Sequence, residues 1–195
     1  MTATAPYPFQ VITDPQQLKA FTDPLRVRIL NMLKDESATN QQIAHALGEP
    51  QAKVLYHIRF LVDVGLIRLV EQRIKGGNVE KYYRAVARLF GLRDGDHAAP
   101  GVAVATLEAA QQEAAASEAA WPGEPPSSES RRGRLSPERA HEFHDRLLGL
   151  IAEYWGGPDP QAMEGGEVAE PDEDPNAPAL CFTAVIYRDP MGRTP

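Results

Sequence analysis

Apolar residues recur every three or four positions along the first third of the chain, and that spacing predicts a run of short helices. "PQQLKAF" predicts the first. In "DPLRVRILNML", Leu25, Ile29 and Leu33 recur at i, i+4 and i+8 and mark one buried face, with Asp23 placed as the N-cap and Pro24 at the first helical position. "TNQQIAHALG" predicts a third helix. Thr39 and Gln42 have the spacing of a capping box, Ile43 and Leu47 face inward, and Gly48 is a stop. Pro50 opens a fourth, "QAKVLYHIRFLVD". Projected at about 100° per residue, Val54, Ile58, Leu61 and Val62 form its core face, while Ala52, Tyr56 and Arg59 point the opposite way. Lys53 and Phe60 lie on a neighbouring flank, and His57 falls at the edge of the stripe, the position of a hydrogen-bonded core-edge histidine.

Gly65 ends that helix and the period changes. "LIRLVEQRI" is β-branched and partly alternating, "KGGN" is a hairpin turn signal, and "VEKYYRAV" is the returning strand. Tyr82 and Tyr83 alternate across it, which puts one of them in the core, and Phe60 is expected to pack beneath the hairpin. The predicted order is four helices, strand, turn, strand.

The second half changes character. An alanine-rich helix is predicted over Val102–Ala120, with Leu107 its only large mid-helix apolar residue. "WPGEPPSSESRRGR" has the composition of a linker whose end could form a short strand. "SPERAHEFHDRLLGLIAEYW" predicts a strong helix, with Ser136 as cap, Pro137 at the first position, and a stripe of Ala140, Phe143, Leu147, Ile151 and Tyr154. The acidic "GGPDPQAMEGGEVAEPDEDPNAP" reads as a mobile loop and "ALCFTAVIY" as a closing strand. The fold class is therefore mainly α with a small β component (α+β). Its expected divisions are a helix-and-hairpin domain over 12–90, a helical linker region over 91–135, and a helix-plus-strand module over 136–190.

Charge sharpens this division. The net charge is −7 over 195 residues, but residues 1–90 hold 12 Lys+Arg against 8 Asp+Glu, and residues 91–195 hold 8 against 19. The balances, +4 and −11, sum to −7. Attraction for phosphate depends on the patch within about 10 Å, not on the total, so the basic half remains competent for nucleic acid. No apolar run is long enough to span a membrane and no secretory signal opens the chain, so a cytoplasmic protein with no membrane partner is expected. The single cysteine, Cys181, excludes an intramolecular disulfide and is expected to be buried and inert.

Two short helices joined by a glycine turn and followed by a hairpin make a winged helix-turn-helix. The stretch from "QQIAHALGEP" through "LVDVGLI" to "YYRAV" resembles ArsR-type bacterial regulators in its apolar spacing, its Tyr56–His57 pair and its exit into the wing, over roughly residues 14–88. The resemblance implies a transcriptional regulator, most commonly a repressor, that binds double-stranded DNA as a homodimer. A recognition helix meets base edges with its first turn and outward face, which here carry Gln51, Ala52, Lys53, Tyr56 and Arg59. Thr39 and Gln41, at the start of the preceding helix, could hold a phosphate. Arg73, Lys75, Gly77, Asn78 and Lys81 form the wing's contact set.

Other chemistries fit less well. The helix before the recognition helix lacks the cysteine pair with which many ArsR relatives sense metals, and His141 and His144 face poorly for ligation. No metal or other cofactor is expected. No phosphate loop, nucleophile elbow or HExxH occurs, which argues against an enzyme. An unknown small-molecule effector remains open as a partner, and so does the alternative of a protein-interaction adaptor built on a winged helix without DNA binding.

Overall fold

The computed structural model describes residues 7–92, 100–124, 126–129, 135–158, 168–169 and 182–184. They divide after Ala109 into two compact units.

The first unit begins with strand β1 (Tyr7–Ile12), a short helix α1 (Pro15–Leu18) and a 3-10 turn over Lys19–Thr22. Helix α2 (Pro24–Asp35) starts where Asp23 accepts a hydrogen bond from the Arg26 backbone N–H (3.0 Å), with Pro24 at the first position as expected. A two-residue strand β2 (Ala38–Thr39) leads into α3 (Asn40–Leu47), then α4 (Gln51–Asp63) and the hairpin of β3 (Ile67–Lys75) and β4 (Asn78–Ala85). Gly76 and Gly77 both take positive φ, which this tight turn requires. Strands β2, β4 and β3 form one antiparallel sheet in that order, with an irregularity between Leu69 and Glu71.

Ile29, Leu33, Ile43, Val54, Ile58, Leu61, Leu66 and Ile67 form the core, where three helices meet the base of the hairpin. Helix ends leave carbonyls without intrahelical partners, and three long-range donors reach them here. Gln17 Nε2 donates to Val64 O at the end of α4 (2.9 Å), Arg84 to Asp35 O at the end of α2 (2.9 Å), and Arg28 to Leu47 O at the end of α3 (3.5 Å). The helices are thus tied to one another at their ends as well as packed at their faces.

Several expectations need correction. A strand precedes the first helix: β1 pairs in parallel with β5 (Ala87–Leu92), from Tyr7 opposite Ala87 to Ile12 opposite Leu92. Val62, expected in the core, is 37% exposed, whereas His57 is buried to 7%. The buried arc of α4 is centred between Val54 and Leu61, so Val62 lies about 90° from its middle and His57 nearer. His57 also lacks the expected hydrogen bond, because its buried Nδ1 has no partner. Phe60 is partly buried against the core, with the Arg26 guanidinium 4.7 Å over its ring. Tyr83 is the tyrosine packed on the core.

Helix α5 (Val102–Ala120) has the expected bounds; Ala105 and Ala109 are buried, while Val104 and Leu107 are exposed. In the second unit, α6 (Pro137–Trp155) starts at Ser136, whose side chain accepts from Arg139 N–H (3.4 Å). The stretch expected as loop contains a short antiparallel ladder of β6 (Gly157–Pro158) and β7 (Val168–Ala169). Of the expected closing strand, Phe182–Ala184 are described and carry no strand. Its remainder, Cys181, the end of the linker at 130–134 and most of the acidic stretch lie outside the described residues.

Candidate nucleic-acid interface

The helix-turn-helix is set by local chemistry. At the start of α3, Gln42 N–H donates to Thr39 Oγ1 (3.2 Å) and Thr39 N–H donates to Gln42 Oε1 (2.8 Å), a reciprocal capping box. At its end Gly48 adopts a left-handed conformation, φ 67° and ψ 28°, and Glu49 N–H donates back to Ala44 O (2.9 Å). Pro50 in extended conformation then starts α4. The turn is fixed at both ends, so the two helices hold a defined angle.

On α4, Val54, His57, Ile58 and Leu61 face inward, while Gln51, Ala52, Lys53, Tyr56 and Arg59 are all exposed. Tyr56 is 67% exposed and sits edge-on to the His57 ring, with centroids 5.3 Å apart. Burial lowers the His57 pKa below its ordinary value; Asp23, 3.9 Å from Nδ1, opposes this, Arg26 and Lys53 add to it, and Glu49 opposes it. The imidazole beneath the outward face is therefore neutral near pH 7.

The expected contact residues differ in how free they are. Lys53 is paired with Glu49 (2.9 Å). Arg73 is held bidentately by Glu71 (2.6 and 2.8 Å) and lies 4.5 Å over the Tyr82 ring, so its charged form is strengthened and that of Glu71 likewise. Arg59, Lys75 and Lys81 are exposed and carry no ion pair among the described residues. Gly77 and Asn78 are exposed at the hairpin tip. Thr39 is buried, with its hydroxyl oxygen taken up by the cap, while Gln41 beside it is exposed. The first turn of α3 can meet a phosphate through Gln41 and its remaining amides.

An open depression of about 380 Å³ lies against the turn, lined by Gln41, Ala44, His45, Gly48, Glu49 and Gln51. It brings Gln41 and Gln51 together across the two helices and adds His45, which the sequence reading omitted. The signal was available, since His45 follows Gln41 by four residues and shares its helix face.

Elsewhere the titratable groups are dispersed. Among the described residues no cluster of His, Cys, Asp and Glu is placed to hold a metal ion. His141 Nδ1 lies 2.8 Å from Pro137 O, and His144 Nδ1 lies 3.7 Å from Asp145. No described helix is long and apolar enough to cross a membrane.

A capped helix-turn-helix followed by a projecting hairpin, which pairs with the short strand β2 ahead of it, is a winged helix-turn-helix. Residues 23–68 match the model of the family described as "Bacterial regulatory protein, arsR family". Over those residues the chain is similar to bacterial regulatory proteins of that family. No protein in a search of curated proteins matches the chain. One similar solved structure is the homodimeric winged helix-turn-helix DNA-binding domain of a possible ArsR-family transcriptional regulator from Mycobacterium bovis. It is 23% identical over 57% of this chain and 85% of that one, with a TM-score of 0.31. The cadmium metal-sensor CMTR from Mycobacterium tuberculosis is 18% identical over 62% and 98%, with a TM-score of 0.29.

Proposed function

We propose that this protein is a sequence-specific, cytoplasmic, DNA-binding regulator that sets α4 in the major groove of an operator and its β3–β4 wing on the flanking backbone. The carrying observation is the division of α4: one face is sealed into the core, and the opposite face presents Gln51, Lys53, Tyr56 and Arg59 to solvent. Those side chains have the donors that read base edges and hold phosphates. The contact set on this reading is Thr39 and Gln41, the α4 face from Gln51 to Arg59, and Arg73, Lys75, Gly77, Asn78 and Lys81 of the wing. Affinity for duplex DNA should fall steeply with salt as Lys and Arg displace counterions. A protein-interaction adaptor would show no such slope, and salt-insensitive or absent binding across a random duplex pool would end the DNA reading.

The same proposal makes the protein a homodimer and a repressor, which occupies its operator in competition with polymerase. Support for the dimer comes from α6, where Phe143, Leu150 and Tyr154 are exposed and none of the described side chains is fully buried. A second copy would cover this stripe, and two reading heads on one operator multiply the sequence recognised. Light scattering on the full chain should give a dimer, and Leu147→Glu with Ile151→Glu should give a folded monomer with much weaker operator binding. A parent that runs as a monomer at micromolar concentration would remove the dimer from the proposal.

A further inference from the structure

At the tip of the wing the hairpin carries an apolar pair where solvent is all around it. Ile74 and Val79 are directly opposed across β3 and β4, and they are 83% and 56% exposed. Opposed residues share a face of the sheet, and so do residues two apart along a strand. The pair therefore shares its face with Gln72 and Lys81, the next pair in register on that side, and Lys81 carries no ion pair among the described residues. Beyond the pair the chain turns through Gly76–Gly77, with Lys75 and Asn78 on either side. The result is a narrow ridge: an apolar end with a cation and an amide directly behind it.

Resting on the reading of the chain as a DNA-binding protein, we propose that Ile74 and Val79 form an apolar wedge that the wing presses into the minor groove, against deoxyribose edges and a base step, opening the groove locally. The charge pattern selects this occupant. A polyanion meets Lys75 and Lys81 on the rim while its sugars and base edges, the least polar surface it offers, meet the ridge. A second copy of the chain is a poor fit, because two side chains cover far less than the roughly 1,200 Å² that a stable protein interface buries. The pair also keeps the hairpin in register, a role that β-branched polar residues can retain.

The test uses the full chain and a duplex of about 30 base pairs, selected from a random pool by the parent protein and labelled at both ends. Ile74→Thr with Val79→Thr preserves β-branching and removes the apolar surface. Affinity should drop about tenfold, as expected when two partly buried apolar side chains lose their burial. The end-to-end distance should lengthen as the duplex straightens, and the salt slope should stay unchanged because no phosphate contact is lost. Ile74→Val alone should give a smaller loss in the same direction. If the parent binds with a steep salt slope and the double variant matches it in affinity and duplex shape, the wedge is wrong and the DNA reading stands. If the parent shows no salt-dependent binding, both fall.

Discussion

Helices α4 and α6 each carry an apolar stripe along one side, and the two stripes meet different ends. In α4, Val54, Ile58 and Leu61 are sealed beneath two neighbouring helices and the base of the hairpin, and Phe60 is held from above by Arg26. In α6, Leu147 and Ile151 are half-buried, and Phe143, Leu150 and Tyr154 stand largely in solvent, beside an open groove lined by Arg139, Glu142 and Arg146. Periodicity tells which side of a helix is apolar but not what covers it. Coverage depends on how many other elements the same unit can bring, and the described part of the second unit brings only the end of α5 beyond Ala109 and the short β6–β7 ladder.

The contrast can be broken most directly by cutting each stripe at its centre. Leu61→Ala should lower unfolding free energy by about 2–5 kcal/mol in urea titrations, the range for truncating a fully buried leucine. Leu150→Ala, at a position 52% exposed, should change the same quantity by less than about 0.5 kcal/mol in the monomer. Its effect should appear as a weaker dimer in dilution experiments. Equal losses of stability at both positions would mean that α6 is core after all.

The outward faces sharpen the comparison further, because that of α4 is the one with free cations near it. Arg59→Ala should weaken operator binding by about 1–3 kcal/mol and relax preference at one base position. Lys75→Ala should weaken all sequences alike and reduce the salt slope by about one unit. Asp145→Asn, exposed on the side of α6 away from its stripe, serves as the control and should leave DNA affinity unaltered. Binding isotherms at several salt concentrations separate these outcomes, and an unchanged pair of α4 and wing variants would mean that the docking face lies elsewhere.

Local chemistry was the legible part of this fold. Asp23, the Thr39–Gln42 box, Gly48, Gly76–Gly77 and Ser136 act on backbone groups a few residues away, so their spacing alone announces the helix ends and the hairpin. The β1–β5 pairing was not legible. It joins Tyr7 to Ala87, and neither "YPFQVI" nor "ARLFGL" has the clean alternation that marks a strand with one face in solvent. The exchange of Val62 and His57 at the rim of the α4 stripe is a matter of tens of degrees of helix rotation, set by tertiary contacts. Among the site residues, exposure could be projected from the helical period. Which cations are already held could not, since Lys53 and Arg73 depend on the rotamers that carry them to Glu49 and Glu71.

The smallest predicted effect comes from the one titratable side chain buried in α4. His57 sits with its Nδ1 unpartnered and 3.9 Å from Asp23, whose carboxylate also accepts from the Arg26 N–H and pairs with the Arg26 guanidinium (3.7 Å). Burial is the leading cause of its lowered pKa, with Arg26 and Lys53 acting in the same sense and Asp23 and Glu49 against it. Above the ordinary histidine value of about 6.5 both folded and unfolded chains hold the ring neutral, and it contributes no pH dependence. As pH falls below that value the unfolded chain takes up a proton first, so stability declines until the lowered folded-state pKa is passed, and then levels. The slope can never exceed that of a single proton, about 1.4 kcal/mol per pH unit. Urea midpoints of the parent should therefore sag as pH falls below about 6.5. His57→Gln, which keeps a polar side chain of similar length without a titrating ring, should remove that sag while leaving the carboxylate-driven losses at lower pH in place. A sag of the same size in both proteins would assign it to a different group and leave the contact between α4 and the start of α2 indifferent to acid.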